Sequence, residues 1–105
     1  MGIGEVATPN GKLLCVLPDG AVTGENVIVV VRPEDINIVA ASQAANENVL
    51  RGNVDAVIFM GDALECQLSV GDQKLRTKLH PASPVRAGET VLVQLPAQSC
   101  RALRG

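Results

Sequence analysis

GNVDAVIFMGDALECQLSVGDQKLRTKLH, residues 52–80, consists of three apolar-rich runs divided by two Gly-Asp pairs, Gly61-Asp62 and Gly71-Asp72. The runs cover residues 52–60, 63–70 and 73–80. In the second, Leu64, Cys66, Leu68 and Val70 alternate with Glu65, Gln67 and Ser69. In the third, Leu75, Thr77 and Leu79 alternate with Lys74, Arg76, Lys78 and His80. A period of two places successive side chains on opposite faces of an extended strand, so each run has one face for a core and one for water. Glycine accepts the positive φ that a two-residue hairpin loop demands. The stretch therefore reads as a three-strand antiparallel meander, with Asp62 and Asp72 serving its turns.

The same signals continue on both sides. Residues 12–17 (KLLCVL) lie between Asn10-Gly11 and Pro18-Asp19-Gly20 and read as a strand. Residues 26–31 (NVIVVV) are continuously apolar and β-branched, the pattern of a strand buried on both faces. Pro33-Glu34-Asp35 suits one helical or 3₁₀ turn, because proline loses nothing at the first position and the acids face the positive end. Residues 40–48 (AASQAANEN) form a small, polar surface loop with room for a helical turn, and Pro81 and Pro84 mark another loop. Residues 90–95 (TVLVQL) are the final strand, ended by Pro96. Gly24-Glu25-Asn26-Val27-Ile28-Val29 is echoed by Gly88-Glu89-Thr90-Val91-Leu92-Val93. Two such strand–loop–strand units, with short strands and frequent Gly/Pro turns, predict an all-β barrel or sandwich with at most one or two short helical turns.

A chain of 105 residues suits one domain, residues 1–105. Hydrophobic residues make up 47% and Phe59 is the only aromatic, so the core must be aliphatic. Phe59 either plugs that core or, with Met60 at the end of its strand, reaches a partner surface. The net charge of −2 comes with scattered basic residues and almost no stacking platforms, which argues against nucleic acid as a partner. Cys15, Cys66 and Cys100 are odd in number and far apart, so neither a disulfide framework nor a CxxC metal site follows. Cys66 fits its strand as a small buried hydrophobe, and a reducing compartment is the natural setting. The longest apolar run, Val27 to Val31, falls far short of the ~20 residues that span a bilayer. No signal peptide is visible. These features predict a cytosolic protein unless a partner brings it to a membrane.

Catalytic sets are missing from the pattern. His80 is the only histidine and falls on the wet face of its strand, with no recognisable triad spacing around it. No Cys/His cluster has zinc spacing. Gly11-Lys12 is followed by Leu13 and lacks the upstream glycine of a phosphate loop. Leu68-Ser69-Val70-Gly71-Asp72-Gln73 imitates the Leu-Ser-Gly-Gly-Gln signature of ABC ATPases, but it spans a strand end and a hairpin where that signature would open a helix. Among Glu34, Asp35, Asp62, Glu65 and Asp72, no spacing selects a catalytic pair, and Arg32 is expected in a surface or interface ion pair. No catalytic, cofactor or metal residue is expected.

Several segments together carry a family likeness. Val31-Arg32-Pro33-Glu34-Asp35-Ile36, Asn48-Val49-Leu50-Arg51-Gly52-Asn53-Val54, Phe59-Met60-Gly61-Asp62 with Leu64-Glu65, and the ending Gly88 to Val93 with Pro96 resemble, in order and spacing, the TOBE domain of ABC-importer ATPases. The likeness runs over residues 24–103 and is closest to importers of polyamines, iron and related small solutes. It implies a small OB-like β-barrel that follows a nucleotide-binding domain. It also implies a homodimer contact with the paired subunit, transporter membrane subunits as further partners, and a place at the cytosolic face of the inner membrane. Arg32, Glu34, Asp35, Phe59, Met60 and Asp62 are the candidate contacts. The ATPase domain of that family is absent from this sequence, and Met1-Gly2-Ile3-Gly4 reads as the arbitrary start of a fragment. Asn48-x-Leu50-x-Gly52-x-Val54 also resembles the opening of molybdate-type oxyanion-binding domains, for which Ser42, Asn46 and Asn48 would hold the anion.

Overall fold

A computed structural model describes residues 2–104; Met1, on which the arbitrary start was partly argued, and Gly105 lie outside the described residues. The meander is present as β5 (Val49–Phe59), β6 (Leu64–Val70) and β7 (Gln73–Leu79), paired antiparallel throughout. Cys66, Leu68, Val70 and Thr77 are buried while Lys74, Arg76, Lys78 and His80 face solvent, as the alternation requires. The β6–β7 turn is the expected two-residue loop: Val70 pairs with Gln73, and Gly71 has φ 57°. The β5–β6 turn differs. Phe59 pairs with Leu64 and the Met60 N–H donates to the Ala63 carbonyl (2.8 Å), so Met60 to Ala63 form a four-residue loop in which Gly61-Asp62 is the middle.

The remaining strands are β1 (Ile3–Thr8), β2 (Gly11–Val16), β3 (Val27–Val30), β4 (Asn37–Val39), β8 (Thr90–Gln94) and β9 (Arg101–Arg104). They make two sheets, ordered β1-β2-β9-β3 and β4-β8-β5-β6-β7. The second sheet curls until its edges approach: the buried Thr77 hydroxyl on β7 donates to the Ile36 carbonyl just ahead of β4 (2.5 Å). This is a small all-β, OB-like fold. Leu13, Cys15, Val54, Cys66, Leu68, Val93, Leu95 and Cys100 fill the space between the sheets. Each fully buried valine or leucine contributes roughly 1.5–3 kcal/mol, so aliphatic residues suffice without an aromatic plug.

Two expectations are corrected. β3 is not buried on both faces: Val27 and Val29 turn inward, but Ile28 is 60% and Val30 43% exposed. Among the described residues nothing covers the outer side of the first sheet at Ile28, Val30 and Leu103, so the apolar run closes the core with only half of its residues. Short helical turns number three among the described residues, one more than the expected maximum. Pro33–Asp35 and Ala41–Gln43 fall in the expected segments, and Ala97–Ser99 follows Pro96 to carry the chain into β9.

The echoed sequence is an echoed turn. Gly24 and Gly88 have φ 88° and 92°. In each copy the next residue, Glu25 or Glu89, donates its N–H to the carbonyl three residues back, Val22 or Arg86. The carboxylates of Glu25 and Glu89 then accept from the N–H of Val22 (3.2 Å) and Arg86 (3.0 Å). One copy leads into β3 and the first sheet, the other into β8 and the second.

Candidate functional site

The β5–β6 hairpin presents Ile58, Phe59, Met60 and Asp62 at its tip. Consecutive residues on a strand point to opposite faces, yet Ile58 (41%), Phe59 (65%) and Met60 (57%) are all exposed, so the strand end projects beyond the packed layers. Phe59 does not plug the core. The only aromatic of the chain sits in water, with a flexible thioether beside it and Asp62, also exposed, in the turn.

Arg32, Glu34 and Asp35 come together on the turn at Pro33–Asp35, where the Asp35 N–H donates to the Arg32 carbonyl (2.9 Å) and the Ile36 N–H to that of Pro33 (3.3 Å). Arg32 and Asp35 line an open groove of about 430 Å³ with Val30, Gln98, Ser99 and Arg101. Among the described residues, Arg32 forms none of the ion pairs, which join Lys12–Glu5, Lys74–Asp55, Arg76–Glu65 and Arg104–Glu25. The groove's second arginine, Arg101, escaped sequence reasoning because nothing local links it to Arg32. The link comes from β9 pairing with β3, which sets Arg101 opposite Val30.

Ser42, Asn46 and Asn48 do not converge. Ser42 and Asn46 are exposed, and the Asn46 amide donates to the Gln43 side chain. Asn48 is buried with a left-handed backbone (φ 56°). Its Oδ1 accepts from the Leu14 N–H (2.7 Å), and its Nδ2 donates to the Leu14 and Leu95 carbonyls (2.8 Å each). That amide is committed to tying β2 to the end of β8.

An exposed network outside the expected residues joins adjacent strands of the meander. Ser69 donates to the Asp55 carboxylate (2.5 Å), and Lys74 donates to Ser69 (2.6 Å) and pairs with Asp55 (3.4 Å). The Ser69 hydroxyl, followed by the Lys74 charge, holds the Asp55 carboxyl below the usual carboxylate range. Because Lys74 acts as donor to Ser69, it is not placed as its base. Asp55 sits at the register irregularity between Val54 and Ala56, which periodicity cannot anticipate. His80 is exposed, and its Nδ1 accepts from the Ala82 N–H (3.0 Å). Among the described residues no three His, Cys, Asp or Glu side chains gather as a metal site, and no helix is long and apolar enough to cross a membrane.

Comparison with known proteins agrees with this architecture. The TOBE domain family matches residues 29–103, from β3 through β9. The spermidine/putrescine import ATP-binding protein PotA of Pseudomonas fluorescens (strain Pf0-1) is 37% identical over 103 residues, covering 90% of this chain. The chain spans 27% of the length of that relative. With the family model matching well over half of the chain, the chain belongs to the TOBE domain family.

Proposed function

We propose that residues 1–105 act as one non-catalytic domain of an ABC-importer ATP-binding subunit, working by packing against partners. The exposed Phe59-Met60 tip is the observation that carries this reading, because an aromatic held out of an otherwise aliphatic core gains its burial only from another molecule. The named relative, an import ATP-binding protein, supports the setting. A place at the cytosolic face of the inner membrane, a nucleotide-binding domain in the same subunit and transporter membrane subunits beside it belong to this proposal. The outer side of the first sheet, where Ile28 pairs with Leu103, is a second apolar surface that supports packing as the mode of action. Arg32, Glu34, Asp35 and Asp62 are the polar contacts of this reading. The oxyanion-binding reading has less support, since Asn48 has no amide atom left to offer an anion.

The test is sedimentation velocity of the purified chain, with and without Phe59→Asp and Met60→Asp together. A concentration-dependent homodimer is expected, lost in the double variant while its melting temperature stays within a few degrees. A strict monomer at high concentration removes the self-association, and an unchanged dimer in the variant removes the hairpin tip from it.

A further inference from the structure

Cys15 and Cys100 are 85 positions apart in the chain but adjacent in space. β2 and β9 run parallel, with Val16 opposite Arg101, and the Val16 N–H donates to the Cys100 carbonyl (2.8 Å). Neighbouring strands lie about 4.8 Å apart, inside the window of roughly 4.4–6.8 Å between the α-carbons of a disulfide. Both side chains are buried with no exposed surface. The polar contacts of the two sulfurs are weak: Cys15 donates to the Leu13 carbonyl (3.8 Å), Cys100 to the Leu95 carbonyl (3.6 Å), and the Asn48 amide to Cys100 (4.0 Å). Two buried cysteines, each one residue before the Val16–Arg101 pair of adjacent parallel strands, are within disulfide reach of each other.

We propose that Cys15 and Cys100 are an oxidant-responsive pair whose disulfide staples β2 to β9, with Cys66 left as a thiol. Hydrogen peroxide, small enough to enter through local opening of the β2–β9 seam, is the class of oxidant this site accepts. One thiolate attacks a peroxide oxygen, the O–O bond breaks, and a sulfenic acid and hydroxide form, the hydroxide leaving as water with the proton that thiol released. The second thiolate attacks that sulfur and expels hydroxide, which leaves as water with the remaining proton. Two thiols are thus oxidised by two electrons, and one peroxide is reduced to two waters. Burial pushes the Cys100 thiol up to about 11. Burial raises Cys15 and Cys66 as well, so oxidation is slow and tracks opening of the seam.

The experiment oxidises the folded, full chain with a small excess of hydrogen peroxide, counts thiols with a chromogenic disulfide after denaturation, and maps peptides. The expected result is a fall from three thiols to one, a loss of about 2 Da, and a single Cys15–Cys100 cross-link within a monomeric band. The melting temperature rises by at least about 5 °C and returns on reduction, because the bond constrains a loop that covers most of the chain. Cys66→Ala behaves as the parent, which needs no change at the pair itself. Three surviving thiols, a cross-link that includes Cys66, or a Cys15–Cys100 bond formed only in denaturant would overturn the proposal.

Discussion

Asn48 shows how much one side chain carries in this fold. Its left-handed backbone is a conformation that asparagine tolerates better than most residues, and its amide serves one donor and two acceptors of strands distant in sequence. Asn48→Ala leaves the Leu14 N–H and two carbonyls without partners and is expected to cost about 2–4 kcal/mol in urea unfolding. Asn48→Asp is the sharper test. It keeps an acceptor for Leu14 but turns a negative oxygen toward the Leu14 and Leu95 carbonyls. That raises the folded-state pKa of the new carboxyl, so the variant is closest to the parent below the unfolded carboxyl pKa and loses ground as pH rises through it. A deficit that does not shrink between pH 7 and pH 4 contradicts this account. None of it was legible in the sequence. A small polar residue in a polar loop reads as a surface group, and only the packing of β2 against Leu95 makes Asn48 internal. Phe59 was half legible: its place at a strand end was clear, but not which side of the barrel wall that end would reach.

The paired turns before β3 and β8 carry the next scale. Each glycine sits at positive φ with no atom within 4 Å of an added Cβ, so substitution meets backbone strain and no clash. Gly24→Ala and Gly88→Ala are each expected to cost about 1 kcal/mol, and nearly the same amount, as measured by thermal unfolding. Unequal losses would mean that the two turns are alike in geometry alone. The sequence echo pointed to these turns, and the two-residue period revealed the meander, because both signals are local. β4 has three residues and β9 four, too few for a period to show, and β1 has only Ile3 and Val6 as large apolar residues. The burial of β3 failed for another reason: a continuous apolar run states what a strand tolerates on each face, not whether a layer is there to cover it.

At the scale of the molecule, the three thiols share one core and one response to alkali. Burial raises all of them above the ordinary 9.0, Cys100 to about 11. The folded state then holds protons that the unfolded chain has released, so their contribution is fully present below pH 9, falls as pH rises toward 11, and stays lost beyond it. The urea midpoint is expected to hold from pH 7 to 9 and then drop. The chain has no tyrosine to titrate in that window, and its lysines are exposed. A flat midpoint through pH 11 would show that the thiols are not desolvated in solution. The β2–β9 seam that Cys15 and Cys100 flank has a further consequence, for the order of assembly. β9, last of the described strands, lies between β2 and β3, two of the first, so the first sheet has a gap until residues 101–104 arrive. During synthesis the second sheet, whose strands end at Gln94, can close while β2 and β3 still wait with unpaired edges, a vectorial delay in which this half of the barrel is most open to wrong pairing or chaperone capture.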